Sequence, residues 1–330
     1  MTEPRIATFA RLANGNIEPK RVIEGQLTKL GRTMHGMTVD PATGEIFVTN
    51  PLASAVLAFS GTANGDEPPI RIIQGPNTGL IYPQAVTLDQ VHHEIFVSDP
   101  GSSAIFVFAE TANGDVAPLR TIRGPKSRLH ATYELAVDPV RNLLVVGVNS
   151  IISNRLDSSA LYIFDRTANG DVAPKAIITG PKAGLRHVFG VQVSGGQILA
   201  DSEGGDANRP YSGIAPRPAA LLLKMLAAGI AEGAPRPPQA SQDPTIISLP
   251  MPWDSRNAGF MGVWSLTDNG DVAPRFVLHG PSTGLVSPGS LAVDPRHKSV
   301  IIEDSPTNSI YTFYLPKLFK STTAASRKDR

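Results

Sequence analysis

The chain has no cysteine, no excess of either charge and no apolar run long enough to cross a bilayer. The missing cysteine excludes disulfides, cysteine-ligated metal centres and cysteine nucleophiles. Basic and acidic residues number 30 and 29, so electrostatic attraction to nucleic acid or an anionic membrane is not expected. The most apolar stretch, AALLLKMLAAGIAEG, is interrupted by Lys224 and Glu232. The sequence therefore predicts neither nucleic acid nor a membrane as a partner.

Signals for targeting and for common catalytic motifs are also missing. The first residues include Glu3, Arg5 and Arg11 and have no apolar core, unlike a secretory signal peptide. As written, the sequence predicts a cytoplasmic protein, and a removed leader would instead make it a secreted one. There is no G-x-S-x-G elbow, H-E-x-x-H helix, phosphate loop or dinucleotide fingerprint.

What the sequence does contain is a repeated turn, written TANGDVAP in its clearest copy at 111–118. The Asn of each Asn-Gly pair marks one copy: Asn14, Asn64, Asn113, Asn169 and Asn269. Successive markers are 50, 49, 56 and 100 residues apart. A period of about 50 residues is typical of a propeller blade. The last spacing equals two periods, which predicts a degenerate copy at Ala220–Arg236.

Each period reads as four short strands. The inner strand resembles LAVD, the second EIFVSD, the third AIFVFA and the fourth PLRTIRG. These segments are rich in β-branched and aromatic residues and are separated by Gly, Pro and Asn. The TANGD segment falls between the third and fourth strands, where Asn-Gly supplies the positive φ of a tight hairpin.

The fold class predicted is all-β: a six-bladed β-propeller of four-stranded antiparallel blades, closed by mixed N- and C-terminal strands. Such closure removes open sheet edges, although IATFA and SIYTFY compete for the same position in the closing blade. A single domain is expected over 1–318, followed by a flexible tail at 319–330. The expected blades are 35–80, 83–129, 132–185, 187–236, 238–285, and 288–315 combined with 5–25.

These units resemble the bacterial NHL-repeat-like six-bladed propellers, whose repeats read roughly N-G-N-x-A-P-x-R-x-I-x-G. The resemblance covers about residues 5–315 and is weakest over 185–250. It implies a fold more firmly than a function, because propellers support binding, hydrolase and lyase activities. Divalent-metal propellers of similar architecture take their ligands from strand ends at the mouth of the central channel.

Polar residues occupy those strand ends in this chain. We call the face where the inner strand begins and the second strand ends the top face. Before the inner strands lie His35, Gln84, Tyr133, Glu134, His187 and Gln239. After the second strands lie Asn50, Asp99, Asn149, Asp201 and Asp304. Either set could form a site, or the strand-end residues could instead hydrogen-bond to neighbouring backbone amides.

Two functional hypotheses follow. The first is a non-enzymatic propeller that binds a protein or small ligand through the top face and the long loops after Asn149 and Asp201. Its candidate ligand-binding residues are His35, Gln84, Tyr133, His187, Gln239 and Asp304.

The alternative is a metal-dependent hydrolase or lyase with a calcium or zinc ion at the channel mouth. Its candidate metal ligands are Asn50, Asp99, Asn149 and Asp201, with Glu134 as the general base. The apolar stretch around 215–229 leaves a homo-oligomer open.

Overall fold

The computed structural model describes residues 4–32, 34–149, 159–203 and 259–319, all in β-strands, turns and short 3-10 segments. Within these ranges no helix is long and apolar enough to span a membrane. The chain is an all-β propeller with four-stranded antiparallel blades, as the sequence predicted.

The described strands form five blades and one two-stranded ribbon. The N-terminal ribbon consists of β1 (Arg5–Thr8) and β2 (Arg21–Glu24). The first blade is β3 (Met37–Val39), β4 (Ile46–Asn50), β5 (Ala55–Phe59) and β6 (Arg71–Ile73). The second is β7 (Ala85–Asp89), β8 (Glu94–Asp99), β9 (Ala104–Ala109) and β10 (Arg120–Arg123). The third is β11 (Thr132–Asp138), β12 (Leu143–Val148), β13 (Ala160–Asp165) and β14 (Ala176–Thr179). The fourth is β15 (Val191–Ser194), β16 (Gln197–Ser202), β17 (Phe260–Ser265) and β18 (Phe276–Leu278). The fifth is β19 (Pro288–Asp294), β20 (Ser299–Asp304) and β21 (Ser309–Tyr314).

The core lies between blades, because the inner strands of the second to fifth blades pack apolar side chains against the preceding blade. Val86 of the second blade is buried with Phe47 and Val56 of the first. The same arrangement repeats at each later junction, and it puts Leu135, Val191 and Leu291 into equivalent clusters. Stacked sheet faces therefore bury apolar surface all along the array of blades, which is the main stabilising term of the fold.

The repeated Asn-Gly-Asp turn joins neighbouring blades as well as closing its own hairpin. The side chain of Asn113 accepts a hydrogen bond from the backbone amide of Ile72, 3.0 Å away in the preceding blade. The carboxylate of Asp115 accepts another from the amide of Asn77 at 2.7 Å. The same two contacts recur at Asn64–Asp66, Asn169–Asp171 and Asn269–Asp271. The repetition in the sequence is therefore one inter-blade clamp made four times.

This clamp predicts a stability effect. We expect Asn113→Ala to lower the free energy of unfolding by about 1 kcal/mol, because it leaves an outer-strand amide without its acceptor. Asn14→Ala is the matched control, since the Asn14 turn belongs to the ribbon and is exposed. Urea denaturation followed by circular dichroism measures both. Equal losses in the two variants would show that only the local turn, and not the clamp, matters.

The predicted composition of the fourth blade was wrong. Its third and fourth positions are filled by β17 and β18, since Ser202 pairs with Phe260 and Gln197 with Ser265. The boundaries 187–236 and 238–285 thus merge into one blade that residues 204–258 interrupt. The segments ALLLKM and PRPPQAS, predicted as its strands, lie outside the described residues.

The predicted closing blade also differs from the structure. Among the described strands, β21 pairs only with β20, and β1 pairs only with β2. The expected mixing of 288–315 with 5–25 into one hydrogen-bonded sheet is therefore not found. Six blades stay a prediction, and most of the predicted tail, 320–330, lies outside the described residues.

Candidate functional site

The polar residues at the ends of the second strands do not form one equivalent ring. Cross-strand register makes Asn50, Asp99 and Asp304 equivalent, because each pairs with the first residue of its third strand. Asn149 lies one residue beyond that position, after Val148, which itself pairs with Ala160. Asp201 lies one residue before it and pairs with Met261. Register therefore separates Asn149 and Asp201 from the other three residues, and the role of these residues as ligands stays a prediction.

The three equivalent residues bind backbone of the loop before their own inner strand. Asp99 accepts hydrogen bonds from the amides of Ile81 and Tyr82 at 2.7 and 3.0 Å. Burial raises the pKa of the Asp99 carboxyl, whereas these amide hydrogen bonds oppose that shift. Asp304 likewise accepts from Val286 and Ser287 at 2.7 and 2.8 Å, although it was expected to bind ligand. All these donors are backbone groups, so the contacts fix the top-face loops.

The two asparagines make similar structural contacts. Asn50 donates from Nδ2 to the carbonyl of Lys29 at 2.8 Å. Asn149 both donates to and accepts from the backbone of Val188, at 3.1 and 2.8 Å, and thereby ties the third blade to the fourth. Within the described part of the chain, no group of three or more His, Asp or Glu has the arrangement of a metal site.

A cluster of aromatic and polar side chains lies on the top face between the third, fourth and fifth blades. Tyr133 meets Phe189 edge-on, with ring centroids 5.4 Å apart, and His187 lies 5.7 Å from the same ring. Nδ1 of His187 is 3.8 Å from a carboxylate oxygen of Glu203. The other oxygen of Glu203 accepts a hydrogen bond from Ser287 at 3.0 Å. We call these five residues the mouth cluster.

Three further carboxyl groups lie near this cluster: Asp201 interacts electrostatically with Glu203, and Glu134 and Glu303 interact with Asp201. Burial raises the pKa of Asp201 to about 8, with smaller contributions from Glu303 and Glu203. Enclosure by protein, and then the charge of Asp201, hold the pKa of Glu134 well above its usual range. Burial likewise raises the pKa values of Glu203 and Glu303. Residues Glu134 and Glu303 are half-buried, so water reaches both of their carboxyl groups.

Asp201 is itself fully buried. Its Oδ1 accepts hydrogen bonds from the amides of Phe189 and Gly190 at 2.9 and 2.7 Å. Its Oδ2 has no hydrogen-bond partner among the described residues and lies where a side chain on Gly190 would clash with it. The backbone that carries Phe189 into the mouth cluster is thus held by a carboxyl group with one unused oxygen.

The remaining predicted residues lie elsewhere. His35 precedes the first inner strand and is an exposed residue. Neighbouring protein atoms partly desolvate its imidazole, which lowers its pKa. Gln84 is buried, and its backbone carbonyl accepts from Thr49 at 3.1 Å. The described contacts do not join either residue to the mouth cluster, and Gln239 lies outside the described residues. Of the predicted ligand-binding residues, the structure brings together Tyr133 and His187.

Glu203, Glu303, Phe189 and Ser287 were missed from the sequence. Glu203, Glu303 and Phe189 are each one or two residues away from a position that was considered, so sampling one residue per strand end overlooked them. A count of every carboxylate within two residues of a second-strand end would have found Glu203 and Glu303.

A separate open cleft of about 570 Å³ lies on the top face between the second and third blades. Its lining includes Arg123, Arg128 and His130 together with the turn at Ser102–Ser103. It contains neither an aromatic ring nor a carboxylate of the mouth cluster. We favour the mouth cluster as the candidate site because buried and half-buried carboxyl groups with raised pKa values lie beside aromatic rings there.

Comparisons with known proteins support the fold alone. No protein-family model matches the chain. No curated protein matches it either. Among solved structures, 593 chains match, which is typical of a fold that serves many functions. One of them, hydrazine synthase from Kuenenia stuttgartiensis, is 11% identical with a TM-score of 0.51, over 88% of this chain and 67% of that one. The chain is thus similar to other β-propellers, at an identity that carries no functional assignment.

Proposed function

We propose that the protein is a binding propeller whose mouth cluster takes a ligand bearing an amine or guanidinium group. The observation that carries this proposal is Glu203, which Ser287 of the fifth blade holds in place beside His187 and the aromatic pair. An oriented carboxylate next to aromatic ring faces is a favourable environment for an organic cation.

The charges near the cluster support the same ligand class. Burial raises the pKa values of Glu134, Glu203 and Glu303, so ionising these carboxyl groups without a counter-charge costs free energy. Burial lowers the pKa of His187, so its imidazole is neutral near pH 7 and does not compete as a cation. A bound cation would stabilise the ionised carboxylates and hydrogen-bond to them.

Calorimetric titration with agmatine, which carries an amine and a guanidinium, tests the proposal. We expect agmatine to bind and 1,4-butanediol, its uncharged analogue, not to bind. Affinity should increase as pH rises above the ordinary titration range of a carboxyl group, because burial raises the pKa values of Glu203 and Glu303 and a cation binds their ionised forms.

Glu203→Gln should weaken agmatine binding by about tenfold or more, since it removes a charge-assisted hydrogen bond. Glu110→Gln is the matched control, because Glu110 pairs with His93 on the opposite face of the propeller. Equal affinity in both variants would overturn the assignment of the ligand to the mouth cluster.

Kinship with the NHL-repeat-like propellers belongs to the same proposal. It is supported by the repeated turn and by the inter-blade clamp that this turn forms in four copies. We further propose one propeller domain over 1–318 with six blade positions.

A further inference from the structure

The N-terminal ribbon stands beside the first blade as the outer strands of a preceding blade would. Ile23 of β2 forms a parallel bridge with Gly65 of the first blade. The same bridge joins each of the first three blades to the next, at Ile73–Gly114, Ile122–Gly170 and Ile178–Gly270. The ribbon strands β1 and β2 are therefore equivalent to the third and fourth strands of a blade.

The ribbon also stands beside the fifth blade as a following blade would. Arg166, after the third strand of the third blade, lies 3.4 Å from Asp89 at the inner-strand end of the second. Arg11 has the equivalent place after β1, and it contributes, after the hydrogen bonds from His297, to lowering the pKa of Asp294. Asp294 ends the inner strand of the fifth blade. The ribbon thus lies between the fifth and first blades, at a sixth position to which the described residues contribute only outer strands.

One wall of this incomplete position is the inner strand of the first blade. Met37 is equivalent by register to Val86, Leu135, Val191 and Leu291. Those four side chains are at most 5% exposed, because the preceding blade covers them. Met37 is 53% exposed, and Val39 on the same strand face is 46% exposed.

The other wall is the third strand of the fifth blade. Ile310 is equivalent by register to Ile105, Leu161 and Met261. The following blade buries those three completely, whereas Ile310 is 63% exposed. Both walls therefore present apolar side chains where every complete junction covers them with two further strands.

We propose that a β-hairpin of a partner protein docks between these walls as the inner half of the sixth blade. The edge of β1 that faces away from β2 has no strand partner among the described residues. In every complete blade, the second strand pairs with the equivalent edge of the third strand. Such an addition combines backbone hydrogen bonds with apolar pockets for alternate side chains.

Charge further defines this hairpin. In the first and second blades, the arginine that begins the fourth strand pairs with a glutamate beside the second: Arg71 with Glu45, and Arg120 with Glu94. Arg21 has the same place in the ribbon and donates only to the carbonyls of Gly61 and Ala63 among the described contacts. We therefore infer a partner hairpin whose second strand begins with an acidic residue and whose first strand carries an apolar pair two residues apart.

The chain itself supplies a probe, the peptide Gln84–Asp99, which reproduces the inner hairpin of the second blade. We expect this peptide to bind the full chain and to raise its melting temperature. Met37→Asp should weaken binding by about tenfold or more, because it places a carboxylate in an apolar contact. Val140→Asp is the matched control, since Val140 is 85% exposed in a turn away from the gap.

A peptide carrying Glu94→Arg should bind more weakly, and the Arg21→Glu variant should restore its binding. Circular dichroism checks that each variant folds. Failure of the wild-type chain to bind at millimolar peptide, or equal binding by Met37→Asp, would overturn the proposal. A concentration-dependent dimer that Met37→Asp dissociates would overturn it in favour of a second copy as the occupant.

Discussion

Trp264→Ala is expected to lower the free energy of unfolding by about 3–5 kcal/mol, the largest effect of any single substitution considered for this fold. Trp264 is completely buried in the cluster between the third and fourth blades. Its ring lies against Gly262, and its Nε1 donates to the carbonyl of Val272 at 3.1 Å. The loss combines a large cavity with an unsatisfied carbonyl.

Urea denaturation followed by far-ultraviolet circular dichroism measures this effect. Trp264→Phe is the control, because phenylalanine keeps part of the apolar volume and should lose clearly less stability. If Trp264→Ala cost less than about 1 kcal/mol, the position of β17 as the third strand of the fourth blade would be contradicted.

The second large effect is the dependence of stability on pH through Asp201. Its pKa is about 8 in the folded chain, against an ordinary value of 3.8. Between those values the folded state holds a proton that the unfolded state has released. Stability contributed by this group is therefore fully present at acidic pH and is lost as pH rises toward 8.

The equivalent positions in two other blades explain why a protonated carboxyl suits this place. Thr49 and Ser98, which match Asp201 by register, donate their hydroxyl protons to carbonyls of the next blade, at Gln84 and Tyr133. A protonated Asp201 keeps a donor at the same position, and the amide of Asp201→Asn would do the same at every pH.

In the wild type, the free energy of unfolding should fall by roughly 1.4 kcal/mol per pH unit between pH 5 and pH 8 because of Asp201. We expect Asp201→Asn to abolish this fall. Unfolding free energies of wild type and variant over this range give the difference directly. The variant also removes the Asp201 charge that raises the pKa of Glu134, so the measured difference belongs to Asp201 together with its coupling to Glu134. If the unfolding free energies of wild type and Asp201→Asn changed with pH in parallel, Asp201 would be ionised in the folded state.

Local sequence rules predicted the elements whose contacts are local. The aspartates that end the inner strands cap the following turns, as local turn chemistry favours: Asp40, Asp89, Asp138 and Asp294 each accept a hydrogen bond from an amide two or three residues on. The four strand classes were also predicted correctly in the first three blades. The reach of Asn113 and Asp115 into the preceding blade was missed, because it depends on how blades stack.

The fourth blade was mispredicted because spacing alone was taken as evidence for a strand. Asn169 and Asn269 are separated by two periods, yet the added length is an insertion between β16 and β17. A hydrogen-bonded pair can span any number of inserted residues, since the cost of closing a loop rises only slowly with its length. Only the cross-strand partners of Gln197 and Ser202 reveal this topology.

The candidate site was predicted only in part for a related reason. Tyr133 and His187 were identified by position, but the groups that orient them are Phe189, Glu203 and Ser287, from two different blades. The shift of Asn149 and Asp201 out of register depends on turn lengths, and one added residue moves a side chain to the other face of its strand.

The most direct test of the binding account is the proton balance of agmatine binding. The titration is repeated at pH 6.5 in two buffers that differ in ionisation enthalpy. Since a bound cation lowers the raised pKa values of Glu134, Glu203 and Glu303, the account predicts that binding releases protons. Glu203→Gln should reduce that release. Binding with no release of protons would contradict the assignment of the cation to these carboxylates.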